Sequence, residues 1–173
     1  MKRILSLIIV LFFILSCAIQ EEVTVPVEKV TDSGKNFSIE DLKKIGFKLN
    51  HEYKVEDLPG AVSAYFGFIK NNLGEPEDYE IRFYTNHSDA VQQGKKYVDN
   101  ATGENGCISK DCALWKEDLK HRIQMHDLGT LHPKYMDYVV HNNFILMCPG
   151  YTGSEALMKC TAILDKLNQS HIE

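Results

Sequence analysis

Tyr79-Glu80-Ile81-Arg82-Phe83-Tyr84 alternates apolar and polar side chains without a break. A strand with period two places Tyr79, Ile81 and Phe83 on one face and Glu80, Arg82 and Tyr84 on the other. That pattern is expected of an antiparallel sheet packed on one face and solvated on the other. The neighbouring segments extend this reading. Val62 to Ile69 is aromatic and aliphatic and reads as a preceding strand, joined through the loop Asn71 to Pro76. Ser88 then caps a helix carrying Ala90, Val91, Gly94, Tyr97 and Val98.

A second unit follows the same plan. Tyr135 to Val140 and Phe144 to Cys148 read as strands around His141-Asn142-Asn143, a hairpin signal. Ser154 is expected to cap a last helix with the stripe Leu157, Cys160, Thr161, Leu164 and Leu167. The order predicts an α+β domain: a four-stranded antiparallel sheet with two helices on one face, ββα-ββα. A short N-terminal helix is expected from Ser38, the cap, with Asp41 at the capping-box position and Gly46 at the end. Residues 101–134 read as an irregular polar insert, with a short helix around Trp115, Leu119 and Ile123. Two hairpin registers compete. A two-residue turn sets His141 opposite Phe144, and a three-residue turn sets Val140 there. The longer turn gives the more uniformly apolar inner face and is preferred, since a slip of one residue reverses every side chain.

The chain has 173 residues, 44% hydrophobic and 25% charged, with net charge −5. This composition fits one globular domain and excludes a collagen-like fibre or a polytopic membrane protein. The acidic balance argues against nucleic acid as a partner. The apolar residues are unevenly spread. Met1-Lys2-Arg3 precedes an apolar run from Ile4 to Leu15, broken only by Ser6. Twelve helical residues rise about 18 Å, short of a hydrocarbon core of about 30 Å, so a cleaved export signal is expected. Losing Lys2 and Arg3 from the 19 basic residues, and no acid, leaves 17 against 24, a net charge of −7. Residues 18–36, with Glu21, Glu22, Pro26, Asp32 and Gly34, are expected to be a flexible tether. The domain is expected to span 37–167, with a tail over 168–173.

Ile14-Leu15-Ser16-Cys17 resembles the lipobox of bacterial lipoproteins. The resemblance implies that Cys17 becomes the mature N-terminus and carries acyl chains. The partner would be a lipid bilayer, and the location the bacterial cell envelope, facing the periplasm or exterior. Two acyl chains suffice for stable anchoring, at about 0.8 kcal/mol per buried CH₂.

After Cys17 four cysteines remain, an even number that suits two disulfides in an exported domain. Of the three connectivities, Cys107–Cys112 and Cys148–Cys160 are favoured. The first closes a small loop, and the second pins the last strand to the last helix. Cys107-Ile-Ser-Lys-Asp-Cys112 lacks the second close pair that a zinc site needs.

His121, His126, Asp127 and His132 are the metal-ligating types in one irregular stretch. Their spacings match no metal motif, and exposed loop histidines are the simpler reading. A small metal-binding protein or enzyme using these residues is the alternative function. No Gly-x-Ser-x-Gly and no phosphate-binding glycine loop occurs, so no catalytic residue and no cofactor is assigned. Asn-x-Ser/Thr at Asn36, Asn86, Asn100 and Asn168 is read as chance in this setting. Glu80, Arg82, Tyr84, Trp115, Lys134 and Asp137 are the candidate binding surface, on the open sheet face beneath the insert. Solvated cross-strand pairing is the bland alternative.

Asp57-Leu58-Pro59-Gly60-Ala61, the strand Tyr79 to Tyr84, Asp89-Ala90-Val91, Trp115-Lys116-Glu117 and Lys134 to Val140, with Cys148 and Cys160, resemble an uncharacterised bacterial lipoprotein domain. That resemblance implies one intact domain and no mechanism. The expectation is a lipid-anchored, non-catalytic binding or interaction module whose partner is an envelope protein or a small ligand.

Overall fold

The computed structural model describes residues 28–125 and 129–170. The expected signal over 1–17 with its Cys17, residues 18–27, His126, Asp127 and residues 171–173 lie outside the described residues. In chain order the elements are β1 (Val30–Thr31), α1 (Ile39–Lys44), β2 (Lys48–Tyr53), β3 (Ala61–Lys70), β4 (Pro76–Tyr84), α2 (His87–Asp89), a π-helical turn (Ala90–Gly94), α3 (Lys95–Ala101), β5 (Ile123–Met125), β6 (Leu131–Pro133), β7 (Tyr135–His141), β8 (Phe144–Pro149) and α4 (Gly153–Ser170).

The main sheet has six strands in the order β1-β7-β8-β4-β3-β2, and β5 with β6 forms a separate two-stranded ribbon. β1 runs parallel to β7, so the sheet is mixed. The expected four-stranded antiparallel sheet is therefore overturned. Its four strands exist as β3, β4, β7 and β8, but each edge carries one more. β2 is an edge strand whose Lys48, Leu49 and Asn50 are exposed and whose Tyr53 is buried, so its sequence carries no apolar run. β1 is two residues long and leaves no periodicity to read.

The helices do not share one face. Tyr79, Ile81 and Phe83 of β4 pack in one cluster with Phe144, Leu146, Ala156, Cys160, Ile163 and Leu167, beneath α4 and α1. Tyr84 of β4 instead packs with Ala90, Val98, Ala101, Val140, Ile145 and Met147, beneath the π turn and α3. Alternate residues of one strand point to opposite faces, so the sheet is covered on both. A third cluster, Tyr53, Leu58, Ala64, Phe66 and Trp115, lies where the insert covers β3. The polar side of the alternation in β4 is thus an interior face.

Local signals explain several boundaries. Ser38 and Asp41 close the capping box of α1. α4 is capped by Thr152 rather than Ser154: Thr152 Oγ1 accepts from Glu155 N–H at 3.1 Å, and Glu155 Oε2 accepts from Tyr151 N–H at 2.8 Å. The expected helix near Trp115 is absent; that stretch is a run of turns, and Ile123 opens β5. The hairpin takes the shorter turn, pairing His141 with Phe144 and Asp137 with Cys148. Asn142 supplies the left-handed turn residue at φ 50°. The register then shifts between Tyr135 and Asp137, which returns Tyr135 to the face of Tyr138. The longer turn is thus overturned: Tyr138 and Val140 share a face with Ile145 and Met147, opposite the face of Phe144, Leu146 and Cys148, so both faces of the hairpin are apolar.

Of the expected tether, residues 28–36 are described, and several bind the domain. Val30 and Thr31 pair with Val140 and His141, Lys29 forms an ion pair with Asp137, and Ser33 N–H donates to Asn142 Oδ1 at 2.6 Å. Both disulfides, Cys107–Cys112 and Cys148–Cys160, are present. Among the described residues no helix is long and apolar enough to cross a membrane.

Candidate functional site

β4 presents Glu80 and Arg82 two residues apart on one face, so acid and base meet along the strand. Arg82 Nε donates to Glu80 Oε1 at 2.8 Å, and its Nη2 donates to Asp118 Oδ2 at 2.9 Å. Asp118 belongs to the insert and also faces Arg122, whose Nη1 is 3.5 Å from Oδ2. Arg122 Nη2 donates to the Trp115 carbonyl at 3.3 Å, and the Arg82 guanidinium lies 4.8 Å from the centre of the Trp115 ring. Two acids and two bases thus tie the insert to the middle of the sheet. Glu80, Arg82 and Asp118 are 0% exposed.

This overturns the expected open face. Glu80, Arg82, Tyr84 and Trp115 are interior residues: Trp115 and Asp118 of the insert fold over Arg82, and the π turn with α3 covers Tyr84. Among the described residues, buried polar atoms without a hydrogen-bond partner concentrate here, including Glu80 Oε2, Arg82 Nη1, Asp118 Oδ1, Arg122 Nε, Trp115 Nε1 and the hydroxyls of Tyr84 and Tyr135. Burial pushes the Glu80 carboxyl up to about 7, against the pull of Arg82. Burial likewise raises Asp118, opposed by Arg82 and Arg122. Burial opposes the charge on Arg82, but Glu80 and Asp118 overcome it and hold the guanidinium above its ordinary value.

At the margin of this network stands an aromatic group. The Tyr53 hydroxyl lies 2.8 Å from His121 Nδ1, and the His121 ring stacks on Phe66 at 4.4 Å and 1°. His51 of β2 brings its ring within 5.2 Å of His121. Burial, with Lys120 and His51 nearby, lowers His121 to about 4, while burial raises the Tyr53 hydroxyl. Both groups are therefore neutral at neutral pH, and the imidazole tautomer sets which of them donates.

Lys134 and Asp137 do not join the buried cluster. Lys134 Nζ bonds Asp78 Oδ2 at 2.6 Å and sits 5.0 Å over the Phe66 ring, while Asp137 is taken by Lys29. Lys134 instead lines a cleft of about 450 Å³ between the start of β4, the end of β8 and α4. Its other charges are Glu77, Asp78, Glu155 and Lys159. Lys159 Nζ lies 3.3 Å from Glu77 and 2.9 Å from Glu155. Burial opposes its charge, but the two glutamates hold it above the usual lysine value. Tyr151, 76% exposed, stands at the rim and is shared with a second cavity of about 450 Å³ that His132 lines.

The histidine stretch does not converge. His121 contacts Tyr53, His132 Nε2 lies 2.9 Å from Thr130 Oγ1, and His126 and Asp127 are outside the described residues. Among the described residues no three His, Cys, Asp or Glu side chains gather as a metal site. The sequence reading missed Glu77, Glu155, Lys159 and Tyr151. Glu155 and Lys159 stand one helical turn apart, a spacing visible in the sequence, but nothing local places them against β4.

Fold and site together define a disulfide-bonded domain with a mixed sheet covered on both faces, an internal ion-pair network and a charged cleft at its rim. The chain belongs to a family of unknown function (DUF6810), whose model matches residues 38–169, from the cap of α1 to the penultimate residue of α4. No curated protein and no solved structure matches the chain.

Proposed function

We propose that this is a lipid-anchored bacterial cell-envelope protein whose domain binds a small amphoteric ligand without transforming it. The observation that carries the reading is the charged cleft of about 450 Å³, a volume suited to a small molecule. Its two lysines are already paired, Lys134 with Asp78 and Lys159 with Glu77 and Glu155. A purely anionic ligand that captured a lysine would strand a carboxylate, and a purely cationic one would strand a lysine. A ligand with both charges exchanges each ion pair for two and strands neither group. Tyr151 at the rim offers an aromatic face over such a ligand. The anchor rests on the lipobox resemblance and on Cys17.

The test is titration calorimetry of the mature chain with free amino acids and zwitterionic dipeptides. Saturable binding is expected, weakened at least tenfold by Lys159→Ala. Absence of binding to all of them, or binding indifferent to Lys159→Ala, overturns the ligand reading. Fatty-acid labelling lost in Cys17→Ala is expected for the anchor, and labelling that persists overturns it.

A further inference from the structure

We infer that His51 and His121 form a two-histidine site for a borderline transition-metal ion, Cu²⁺ or Zn²⁺, at the β2 edge of the insert-covered face. The two rings come from distant parts of the chain and stand 5.2 Å apart, centre to centre, with planes at 57°. Imidazole nitrogens suit zinc and copper. Two rings at this separation and tilt can direct one nitrogen each toward a shared ion.

His121 is oriented as a ligand is. Phe66 fixes its plane by stacking, and the Tyr53 hydroxyl lies 2.8 Å from Nδ1. This leaves Nε2 as the coordinating nitrogen. On metal binding the proton sits on Nδ1 and is donated to Tyr53 Oη, the outer hydrogen bond that sets tautomer and ring angle in histidine metal sites. Tyr53 is itself packed against Trp115 and His51, at ring separations of 5.4 and 5.0 Å. The aromatic group is therefore a rigid holder for one imidazole.

Access and charge are compatible with the site. Both histidines are partly exposed, so an ion reaches them from solvent. Lys134 is the cation that approaches along Phe66, and Asp78 neutralises it at 2.6 Å. Lys120 is exposed and screened by solvent. The remaining coordination positions fall to water, as in sites that keep open positions. This site shares neither ligand set nor place with the proposed ligand cleft, and it stands or falls separately.

The test uses the untagged mature chain and Cu²⁺ or Zn²⁺ alone. Calorimetry is expected to show one ion bound per chain, with affinity at least tenfold lower in His51→Gln. Electron paramagnetic resonance of the Cu²⁺ form is expected to show two imidazole nitrogens in the wild type and one in His51→Gln. His121→Phe keeps the stack on Phe66 and removes the donor, so it separates ligand loss from unfolding. It is expected to lose binding while its thermal unfolding remains cooperative. Binding that persists in the His51→Gln/His121→Phe double variant assigns the metal to other histidines and overturns the inference. So does a wild type that binds neither ion.

Discussion

Arg82, in the middle of β4, donates to Asp118 of the insert at 2.9 Å, with both side chains fully buried. A buried ion pair is poor evidence of net stabilisation, because desolvation offsets the attraction. Removing one partner is a different matter, since it leaves the other charged and uncompensated. Asp118→Ala is expected to cost about 3–5 kcal/mol in chemical denaturation. Asp118→Asn keeps the shape and one acceptor and should cost less. A loss under about 1 kcal/mol in Asp118→Ala would mean that the insert is held by Trp115 packing instead.

The same network predicts two opposing pH effects. Glu80 is raised in the fold to about 7 from an ordinary 4.5, so the native state holds the extra proton. Its contribution is complete below about 4.5 and is lost as pH rises through about 7. His121 is lowered to about 4 from 6.5, so the unfolded chain binds the extra proton. Its contribution is complete above about 6.5 and is lost as pH falls toward about 4. Together they flatten the wild-type profile where the windows overlap. Asp118, also raised by burial, keeps the sign of Glu80, so thermal unfolding of Glu80→Gln should show stability rising more steeply with pH than in the wild type across the His121 window. His121→Phe should show stability falling as pH rises across the Glu80 window. Parallel profiles for the two variants would contradict both assignments.

The disulfides should differ in weight. Cys148 and Cys160 are 0% exposed and join β8 to α4 within the main core. Closing that loop is worth about 3 kcal/mol in the chain-entropy model, and the shorter Cys107–Cys112 loop about 2 kcal/mol. Replacing the buried pair with alanines also leaves space in the core. The Cys148→Ala/Cys160→Ala variant should therefore unfold at lower denaturant than Cys107→Ala/Cys112→Ala. The reverse order would place the weight on the insert.

How far the sequence could be read follows from the range of the interactions. The alternation in Tyr79 to Tyr84 is local, and it identifies β4 and both of its faces. What covers the polar face is not local, because Arg82 finds Asp118 thirty-six residues away. Glu80 and Arg82 look like solvated charges until that partner is known. β2 was hidden because an edge strand needs little apolar surface, and only Tyr53 turns inward. The cystines were legible because spacing alone favours closing short loops. Lys159 meets Glu77 only after α4 docks, so no window of sequence contains the cleft.

The N-terminal segment offers a separate test. Asn142 sits at φ 50° and uses its side chain on Ser33, accepting from N–H at 2.6 Å and donating to Oγ at 3.1 Å. Asn142→Gly suits the turn but drops those bonds. Asn142→Ala drops them and adds strain of about 1 kcal/mol. Hydrogen exchange at Val30 to Ser33 should accelerate in both variants, while global stability falls further in alanine. Unchanged exchange would show that pairing with β7 alone holds this segment.

Gly94 decides how closely the helical layer approaches the sheet. It lies in the π turn and is buried, and an added Cβ would fall 2.5 Å from Tyr84 Cζ and 2.6 Å from Ile145 Cδ1. Alanine has the better helix propensity, by about 1 kcal/mol. Overpacking typically costs about 1–3 kcal/mol, and here it falls on a tyrosine ring that is 1% exposed and has no room to turn. The packing loss should win, so Gly94→Ala is expected to lower the unfolding temperature. Tyr84→Leu removes the ring that clashes and is itself destabilising through the cavity it leaves. The double variant should then be more stable than the sum of the two single losses implies. Strict additivity would show that the π turn moves away from β4 and β8 to accept the methyl group, and that the close approach at Gly94 is not required by the fold.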